Sequence, residues 1–377
     1  MTGLYIHIPF CASRCIYCGF YSTTNVDIKQ RYVDTLCHEM ELRRYEVKGP
    51  LSTIYVGGGT PSQLSLDQLR QIFTSITNIW GKTEGEITIE CNPDDINAKF
   101  ANGLASIGIN RVSMGVQTFN DPQLHFLHRR HSAEEAILAT QQLRAAGIHN
   151  INIDLMFGFP NESMALWEED LWMALALNPQ HISAYSLMYE KGTPLYNMLH
   201  TGKIQEIDEQ LSLAMYNKLI DLLTAAGYEH YEISNFAWHN ENISFRSQHN
   251  SSYWHEIPYI GLGAAAHSYN LISRSWNIAD INQYIKNIQH DILPSETEEL
   301  DLNTRYDDLI TTALRTSEGI NMAKMKEEYG TNLYDYLIEG AKKYIARHQM
   351  KMANDHLSLT RDGLFISDMI MSDLMKV

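Results

Sequence analysis

Short apolar segments alternate with longer amphipathic segments through the first two-thirds of the chain. The short segments are typical of strands, and the longer ones carry an apolar face at helical spacing. Six strand–helix repeats without a long gap predict a parallel sheet with right-handed crossovers. The predicted strands are Leu4–Ile8, Thr53–Val56, Glu86–Cys91, Arg111–Val116, Asn150–Met156 and His181–Leu187, and the predicted helices are Asp27–Val47, Ser65–Trp80, Asn97–Ile107, Ala133–Ala146, Met164–Leu177 and Asp208–Ala226. Pattern alone does not separate a doubly wound sheet from a barrel.

Three successive strands, beginning with Glu86–Cys91, are polar on one face. Glu90 opposes the apolar residues of its strand, Ser113 does so in the next, and Asn152 and Asp154 do so in the third. A fully buried parallel strand is usually apolar on both faces. The pattern therefore predicts a lumen that holds a polar ligand near the carboxyl ends of the strands. Buried polar groups that satisfy one another are the alternative.

Beyond Ser268 the pattern changes to helices followed by a short hairpin. The predicted elements are helices at Ile281–Ile288, Asn303–Thr316, Met322–Tyr329 and Leu333–Arg347, and a hairpin over Leu357–Ile366 that turns at Asp362-Gly363. We therefore divide the chain into an α/β domain at 1–240, a linker at 241–275 and a small, mostly helical C-terminal domain at 276–377.

Composition favours a soluble globular protein. Of the 377 residues, 44% are hydrophobic and 20% are charged. The 29 basic and 45 acidic residues give a net charge of −16, which argues against a nucleic-acid partner. No stretch approaches the ~20 apolar residues of a membrane span, and the N-terminus lacks the pattern of a signal peptide. Scattered cysteines do not indicate a disulfide framework, so we expect a cytoplasmic protein.

Three of the five cysteines, Cys11, Cys15 and Cys18, fall within eight residues directly after the first predicted strand. Thiolates suit zinc, copper(I) or iron–sulfur clusters. A structural zinc site normally has four protein ligands, and a cubane cluster has four irons to ligate. With three cysteines, one iron would stay open to a non-protein ligand. A zinc site completed by His7 or a distant residue, and three simply packed cysteines, are the alternatives.

The CxxxCxxC spacing, with Tyr17 before the last cysteine, resembles the radical S-adenosylmethionine (SAM) superfamily. The resemblance implies a 4Fe-4S cluster on the three cysteines, SAM on the fourth iron and an electron donor of the flavodoxin or ferredoxin type. It also implies an α/β fold, an incomplete parallel (β/α)6 barrel that is open along one side. The run Gly57-Gly58-Gly59 after the second strand fits the loop that contacts the SAM amino group in this superfamily, although by itself a triple glycine is typical of a turn.

Further motifs resemble the oxygen-independent coproporphyrinogen III oxidase group, from the N-terminus to about Pro160 and again from Gly227 onward. The motifs are Tyr5–Cys11, the GGGTPS loop, Glu90–Pro93, Arg111–Phe119 with Leu127–His131, and Asn152–Leu155. The resemblance implies SAM-site roles for Tyr5, Tyr17, Gly58, Gly59, Thr60, Glu90, Gln117, Arg129 and Asp154. Glu90 or Asp154 could accept hydrogen bonds from the ribose hydroxyls. Arg129 could pair with the SAM carboxylate, but the adjacent Arg130 leaves the register open by one residue.

Two features separate the chain from the oxidases of that group. The oxidases carry a fourth cysteine two residues after the third, where this chain has Phe20, and they have an extension before the cluster, whereas the first cysteine here is residue 11. Both features resemble the heme chaperone branch of the group. That branch carries an HNxxYW motif, which is matched here by His249–Trp254.

The heme chaperone resemblance implies a protein that binds heme and delivers it to an acceptor hemoprotein. A neutral imidazole can ligate heme iron, and His249 is the best candidate, with His267 and His255 weaker. A radical SAM enzyme that decarboxylates coproporphyrinogen III is one alternative. A radical SAM enzyme with an unrelated substrate, in which HNSSYW is core packing, is another. The C-terminal helices and hairpin resemble the winged-helix-like terminal domain of the group, and a lid or docking surface is the expected role.

Overall fold

The structure, a computed structural model, describes residues 2–376. The strands are β1 (Gly3–Ile8), β2 (Thr53–Gly58), β3 (Ile87–Cys91), β4 (Arg111–Gln117), β5 (Asn150–Phe157), β6 (His181–Ser186), β7 (Tyr228–Glu232), β8 (Asn235–Trp238), β9 (Tyr259–Leu262), β10 (His267–Tyr269), β11 (Ser273–Asn277), β12 (Ser295–Glu299), β13 (Ile320–Asn321), β14 (Met350–Ala353) and β15 (His356–Leu359). The α-helices are α1 (Lys29–Leu42), α2 (Leu66–Trp80), α3 (Ala98–Ile107), α4 (Asp121–Phe126), α5 (Ala133–Ala145), α6 (Met164–Ala176), α7 (Pro194–His200), α8 (Glu209–Ala225), α9 (Gln248–Trp254), α10 (Ile281–Ile288), α11 (Leu302–Ala313), α12 (Met322–Ala346), α13 (Arg361–Leu364) and α14 (Ser367–Leu374).

Six parallel strands, β1 to β6 in chain order, form the centre of a large sheet. The full order is β12-β11-β10-β9-β1-β2-β3-β4-β5-β6-β8-β7. Among the described residues this order has two ends, β12 and β7, so hydrogen bonds do not close the sheet into a complete barrel. The predicted parallel α/β architecture is confirmed, and the six strands begin and end within two residues of their predicted bounds.

The helices cover the outer face of these strands, where the side chains are apolar. On β1, Leu4, Ile6 and Ile8 have no exposed surface, and burying each such side chain contributes about 1.5–3 kcal/mol. Capping residues in the sequence determine where helices begin. Ser65, for example, begins α2 with a capping box that includes Gln68.

The inner face of the same strands is polar on all six, which extends the alternation predicted for three. Because side chains alternate along a strand, each strand presents two or more such residues toward the lumen. They are Tyr5 and His7 on β1, Thr53 and Tyr55 on β2, Thr88 and Glu90 on β3, Arg111 and Ser113 on β4, Asn152 and Asp154 on β5, and His181 and Ser183 on β6.

The range 241–275, predicted as a linker, is built into the sheet. Strand β9 pairs in parallel with β1, and β10 and β11 continue antiparallel beyond it. The core that the sheet shares with its helices runs on to Ile288, and a separate core begins at Tyr306. Short strands escaped prediction here because β9 to β11 are only three to five residues long.

The C-terminal unit is mostly helical and carries a three-stranded sheet ordered β13-β15-β14. The hairpin predicted over Leu357–Ile366 is wrong. The hairpin joins β14 to β15 and turns at Asn354 and Asp355, which both have positive φ, whereas Asp362 and Gly363 lie in α13. Asn and Asp tolerate this conformation, so the sequence contains two possible turns, Asn354-Asp355 and Asp362-Gly363, and the first of them is the turn of the hairpin. The winged-helix likeness stays a prediction. Within residues 2–376, no helix is both long enough and apolar enough to cross a membrane.

Candidate functional site

The three-cysteine loop leaves the carboxyl end of β1 and is held by backbone hydrogen bonds. Cys11 N donates to Thr23 O at 2.9 Å, and the N–H of Ile16, between the second and third cysteines, donates to Leu127 O at 3.3 Å. Cys11 is buried, Cys15 and Cys18 are half-buried, and all three thiols are free. The loop therefore has a fixed backbone and unlinked sulfur atoms.

The three thiols lie close enough to influence one another. Burial is the main reason why the pKa of Cys18 is raised, and the charges of Cys15 and Cys11 add to the shift. In the part of the chain that the structure describes, no group of three His, Cys, Asp or Glu side chains is arranged around one metal ion. A cubane cluster binds each cysteine at a different iron, so its ligands need not converge on one point.

The glycine-rich loop after β2 packs directly on the cysteine loop. A Cβ on Gly59 would lie 3.0 Å from the Cys11 sulfur and 3.0 Å from Phe10 O, so a larger residue there would push the two loops apart. Gly58 has a φ of 115°, which favours glycine. Thr60 donates its hydroxyl to the Cys11 sulfur at 3.5 Å. The predicted residues Gly58, Gly59 and Thr60 are thus brought to the first cysteine.

Arg129 points to the cysteines, whereas Arg130 does not. Arg129 Nη1 donates to the Cys15 sulfur at 3.4 Å, and Nη2 donates to Gly115 O at 2.5 Å and to Asn92 Oδ1. Its Nε has no hydrogen-bond partner, and no carboxylate of the described chain lies within ion-pair distance of it. Burial opposes the charge, but the nearby Tyr17 and Cys15 offset that effect and raise the pKa of Arg129. A half-buried cation whose Nε–H is buried and unpaired is suited to an anionic ligand.

Arg130 lies on the outer side of the same turn. Its guanidinium pairs with Asp94 and Asp95, each at 3.0 Å. Of the two adjacent arginines, Arg129 contacts the cysteine loop and Arg130 pairs with surface carboxylates, which favours Arg129 as the predicted site residue.

Two half-buried carboxylates, Glu90 and Asp154, lie in the lumen below the glycine-rich loop. Glu90 accepts from Tyr55 Oη at 2.7 Å and from Gly58 N at 3.0 Å. Burial raises its pKa to about 7, and the charge of Asp154 adds to the shift. Asp154 accepts from Asn152 Nδ2 at 2.6 Å and from Ser113 Oγ at 3.2 Å. Each carboxylate keeps lone pairs beyond these bonds and could accept further hydroxyl donors.

The remaining predicted SAM-site residues border the same region. Tyr5 donates to or accepts from His7 Nδ1 at 3.0 Å and lies stacked near Tyr55. Tyr17 lies beside Cys15 and Arg129, and burial is the main reason why its pKa is raised. Gln117 ends β4 with a φ of 70° at an irregularity in the pairing with β5, and a Cβ on Gly115 would lie 3.0 Å from Gln117 Nε2 and 3.2 Å from Arg129 Nη2, so the Gln117 amide lies on the same side of the strand as Arg129.

Three residues that were not predicted from the sequence support this site. Tyr55 orients Glu90, and Asn92 and the Gly115 carbonyl hold Arg129. Tyr55 could have been found, because it alternates with Thr53 on the polar face of β2. The roles of Asn92 and Gly115 depend on a contact across the sheet that no local pattern indicates.

The HNSSYW segment forms α9 at the opposite end of the strands. The Glu86 carboxylate accepts from the N–H groups of Gln248 and His249, each at 3.1 Å, and this anchors the first turn of the helix. A Cβ on Gly3, the first residue of β1, would lie 3.3 Å from the His249 ring. The helix therefore closes the amino end of the strands, whereas the cysteines follow their carboxyl ends.

His249 is a buried, fully bonded side chain in this arrangement. It is 1% exposed, its Nδ1 lies 2.8 Å from Thr53 Oγ1, and its Nε2 lies 2.8 Å from Tyr253 Oη. Burial, together with the charge of Arg111, lowers the pKa of His249 to about 3. Both ring nitrogens are occupied by protein partners, so neither is free for a metal in the described conformation.

The two weaker candidates differ from His249 in exposure. His255 directly follows α9, is exposed, and places its Nδ1 2.7 Å from Ser251 O. His267 is exposed on β10, with its ring 6.0 Å from that of Trp276. Five steps of about 3.3 Å join the six residues of β1, so about 17 Å separates the level of His249 from that of the cysteine loop.

Comparisons with known proteins agree with this architecture. Residues 5–172 match the Radical SAM superfamily, and residues 300–366 match the HemN C-terminal domain. The solved structure of coproporphyrinogen III oxidase (HemN) from Escherichia coli, described as a radical SAM enzyme, superposes with a TM-score of 0.85 at 20% identity and covers 100% of this chain and 90% of that one. At that identity the likeness shows the fold alone. The fold and the superfamily match define a radical SAM protein.

The particular branch follows from two curated relatives. The heme chaperone HemW of Bacillus subtilis is 34% identical over 339 residues, which are 88% of either chain. The heme chaperone HemW of Mycobacterium tuberculosis is 29% identical over 380 residues, which cover 99% of this chain and 94% of that one. The chain belongs to the HemW family.

Proposed function

We propose that the protein binds heme at or near the HNSSYW segment and delivers it to an acceptor hemoprotein. Membership of the HemW family carries this proposal, because the relatives bear the name heme chaperone over nearly nine-tenths of the chain. The cytoplasmic setting and a flavodoxin- or ferredoxin-type electron donor are part of the same proposal. The exposed Phe20, in place of a fourth cysteine, argues against the coproporphyrinogen III oxidase alternative.

We also propose that Cys11, Cys15 and Cys18 hold a 4Fe-4S cluster and that SAM binds beside it. The donor set fits, since it consists of three free thiols, and Arg129, which donates to the Cys15 sulfur, keeps a buried Nε–H without a partner in the described chain. Such a cluster with SAM supplies reductive cleavage to a 5′-deoxyadenosyl radical when an electron is provided. Arg129 would bind the SAM carboxylate, and Glu90 and Asp154 would accept from the ribose hydroxyls. The Gly57–Thr60 loop would approach the SAM amino group with backbone carbonyl oxygens, because an amino group donates hydrogen bonds and the N–H groups of Gly58 and Gly59 already donate to Glu90 and Ile8 O.

The test is a paired measurement on anaerobically purified protein. Hemin titration should reach about one heme per chain. Incubation with coproporphyrinogen III, SAM and reductant should release no carbon dioxide and no vinyl product. Stoichiometric decarboxylation would replace the chaperone proposal by the oxidase alternative. Absence of hemin binding together with absence of turnover would leave the unrelated-substrate alternative.

The pKa of Glu90 predicts how SAM affinity depends on pH. The ionised Glu90 carboxylate accepts hydrogen bonds from the ribose hydroxyls, and protonation of Glu90 weakens these bonds. The affinity for SAM should therefore fall as the pH drops through about 7. For a pKa near 7 the fall from pH 8 to pH 6 is about tenfold. Equilibrium dialysis of cluster-loaded protein measures it. Glu90→Gln should bind SAM more weakly at pH 8 and lose this part of the pH dependence. If SAM affinity depends on pH equally in the wild type and in Glu90→Gln, the titrating group is not Glu90 but another group, such as the SAM amino group.

A further inference from the structure

A groove of about 720 Å³ lies against the outer side of α9. One wall is the segment 50–53, which leads into β2, and a second is the loop before β3, through Lys82, Glu84 and Gly85. The third wall is formed by residues on and just after α9, between Gln248 and Ile257. This volume is within the range of about 300–1,000 Å³ that small-molecule and cofactor sites usually have. The groove is therefore large enough for a cofactor and touches the segment that the family resemblance associates with heme.

The groove has the polarity that a heme needs. Most of its lining surface is apolar, with Leu51 and Ile257 among the lining residues. Lys82 is an exposed, cationic member of the lining and could pair with a propionate at the solvent edge, whereas the exposed Glu84 carries the same charge as a propionate and would have to point away from it. An apolar macrocycle with a polar edge matches this arrangement.

His255 is the one residue lining the groove, within the described chain, whose type commonly ligates heme iron. Its Nδ1 is 2.7 Å from the carbonyl of Ser251, one helical turn back. A backbone carbonyl accepts only from a protonated nitrogen, so Nδ1 carries the hydrogen and Nε2 keeps its lone pair. An imidazole oriented by a carbonyl through one nitrogen is the usual form of a metal-ligating histidine.

His249 has the opposite arrangement. Both of its nitrogens are bonded inside the protein, and its ring lies 5.2 Å from that of Tyr55, nearly parallel to it. To ligate iron it would have to break two buried hydrogen bonds and leave the polar groups of Thr53 and Tyr253 without partners, which is costly.

We propose that heme binds in the groove beside α9, with His255 Nε2 as its axial ligand, and that His249 acts as a positioning residue that fixes α9. This inference rests on the proposed heme function and names its site. A single imidazole leaves the other face of the iron open, which is suited to transfer to a ligand of the acceptor. The groove is at the amino end of the strands, so the heme is cargo there and is out of reach of a radical formed at the cysteine end.

Hemin titration of the full-length, cluster-loaded protein tests this site. His255→Ala should weaken hemin binding at least tenfold and abolish the spectrum of imidazole-ligated heme. His255→Met should restore binding with a thioether-ligated spectrum. His290→Ala is the matched control, because His290 is also exposed and also bonds a carbonyl one turn back, Lys286 O, at 2.7 Å. That variant should bind hemin like the wild type.

Two further variants separate ligation from folding. Ser251→Trp should reduce hemin binding by filling the groove while leaving the thermal midpoint unchanged. His249→Ala should lower the thermal midpoint, and its folded fraction should keep the imidazole-ligated spectrum. If His255→Ala binds hemin with wild-type affinity and spectrum, or if folded His249→Ala loses that spectrum, the assignment is overturned. If the wild type itself fails to bind hemin, the proposed function fails first, and the two failures are distinguishable.

Discussion

Replacing Cys15 by serine is expected to remove the iron–sulfur cluster almost completely and to leave hemin binding within about twofold of the wild type. Serine offers a hard oxygen in place of a soft thiolate, and the iron of such clusters is held by thiolates. Iron and acid-labile sulfide, measured after anaerobic reconstitution, should fall from about four of each per chain toward zero. Hemin binding should persist because about 17 Å of β1 separates the two ends.

The control for this prediction is Cys37→Ser. Cys37 is a half-buried thiol on α1, whereas the cluster cysteines leave the end of β1. This variant should keep the full iron and sulfide content. Wild-type protein that contains zinc and neither iron nor sulfide would remove the cluster proposal altogether. A folded Cys15→Ser variant that loses hemin as well as iron would show that the two ends are coupled, against the separation argued here.

The separation of the two ends has a structural basis in the polar lumen between them. The lower layer is occupied by side chains that bond one another: His181 lies 2.6 Å from Asn152 Oδ1 and 2.8 Å from Tyr231 Oη. The upper layer, with Glu90 and Asp154, lies beneath the cysteine loop. The two interpretations of the polar strand faces, ligand binding and mutual hydrogen bonding, therefore apply to different depths of the lumen. Mutual hydrogen bonding accounts for the lower layer, and we propose ligand binding for the upper one.

Sequence periodicity was sufficient for the central fold and insufficient for its margins. The six parallel strands and their helices are long, regular and separated by clear turns, so local pattern and tertiary structure agree. The outer strands β7 to β12 are short, and their pairing is set by contacts between residues distant in sequence. Strand β9, for example, pairs with β1 across more than two hundred residues. Such contacts leave no periodic signal.

The candidate site likewise has a part that could be predicted from the sequence and a part that could not. The cysteines, the glycine loop and Arg129 follow strand ends in short motifs, so a resemblance could identify them one residue at a time. The state of a histidine could not be predicted, because it depends on which partners surround each ring nitrogen. His249 and His255 are six residues apart, yet one is 1% exposed with two bonded nitrogens and the other is exposed with one.

Arg129→Gln is expected to weaken SAM binding about 10- to 100-fold in cluster-loaded protein. Losing a hydrogen bond to a charged group costs about 1.5–3 kcal/mol, and each 1.4 kcal/mol is about a tenfold change in affinity. Arg129 Nε is buried without a partner, and the described chain places no carboxylate beside the guanidinium. The SAM carboxylate would supply the hydrogen-bond acceptor for Nε and the negative charge beside the guanidinium. Arg129→Lys keeps the charge but loses the planar fork, so its affinity should lie between those of the wild type and Arg129→Gln.

Arg130→Gln is the matched control for Arg129, one residue along the same turn. Its guanidinium is already paired with Asp94 and Asp95 at the surface, so SAM affinity should change by less than about twofold. Isothermal titration with SAM, after iron and sulfide are assayed in each variant, separates lost SAM binding from lost cluster. This assay is needed because Arg129 also donates to the Cys15 sulfur. Loss of affinity in Arg130→Gln with full affinity in Arg129→Gln would reverse the register and with it the assignment of the carboxylate site.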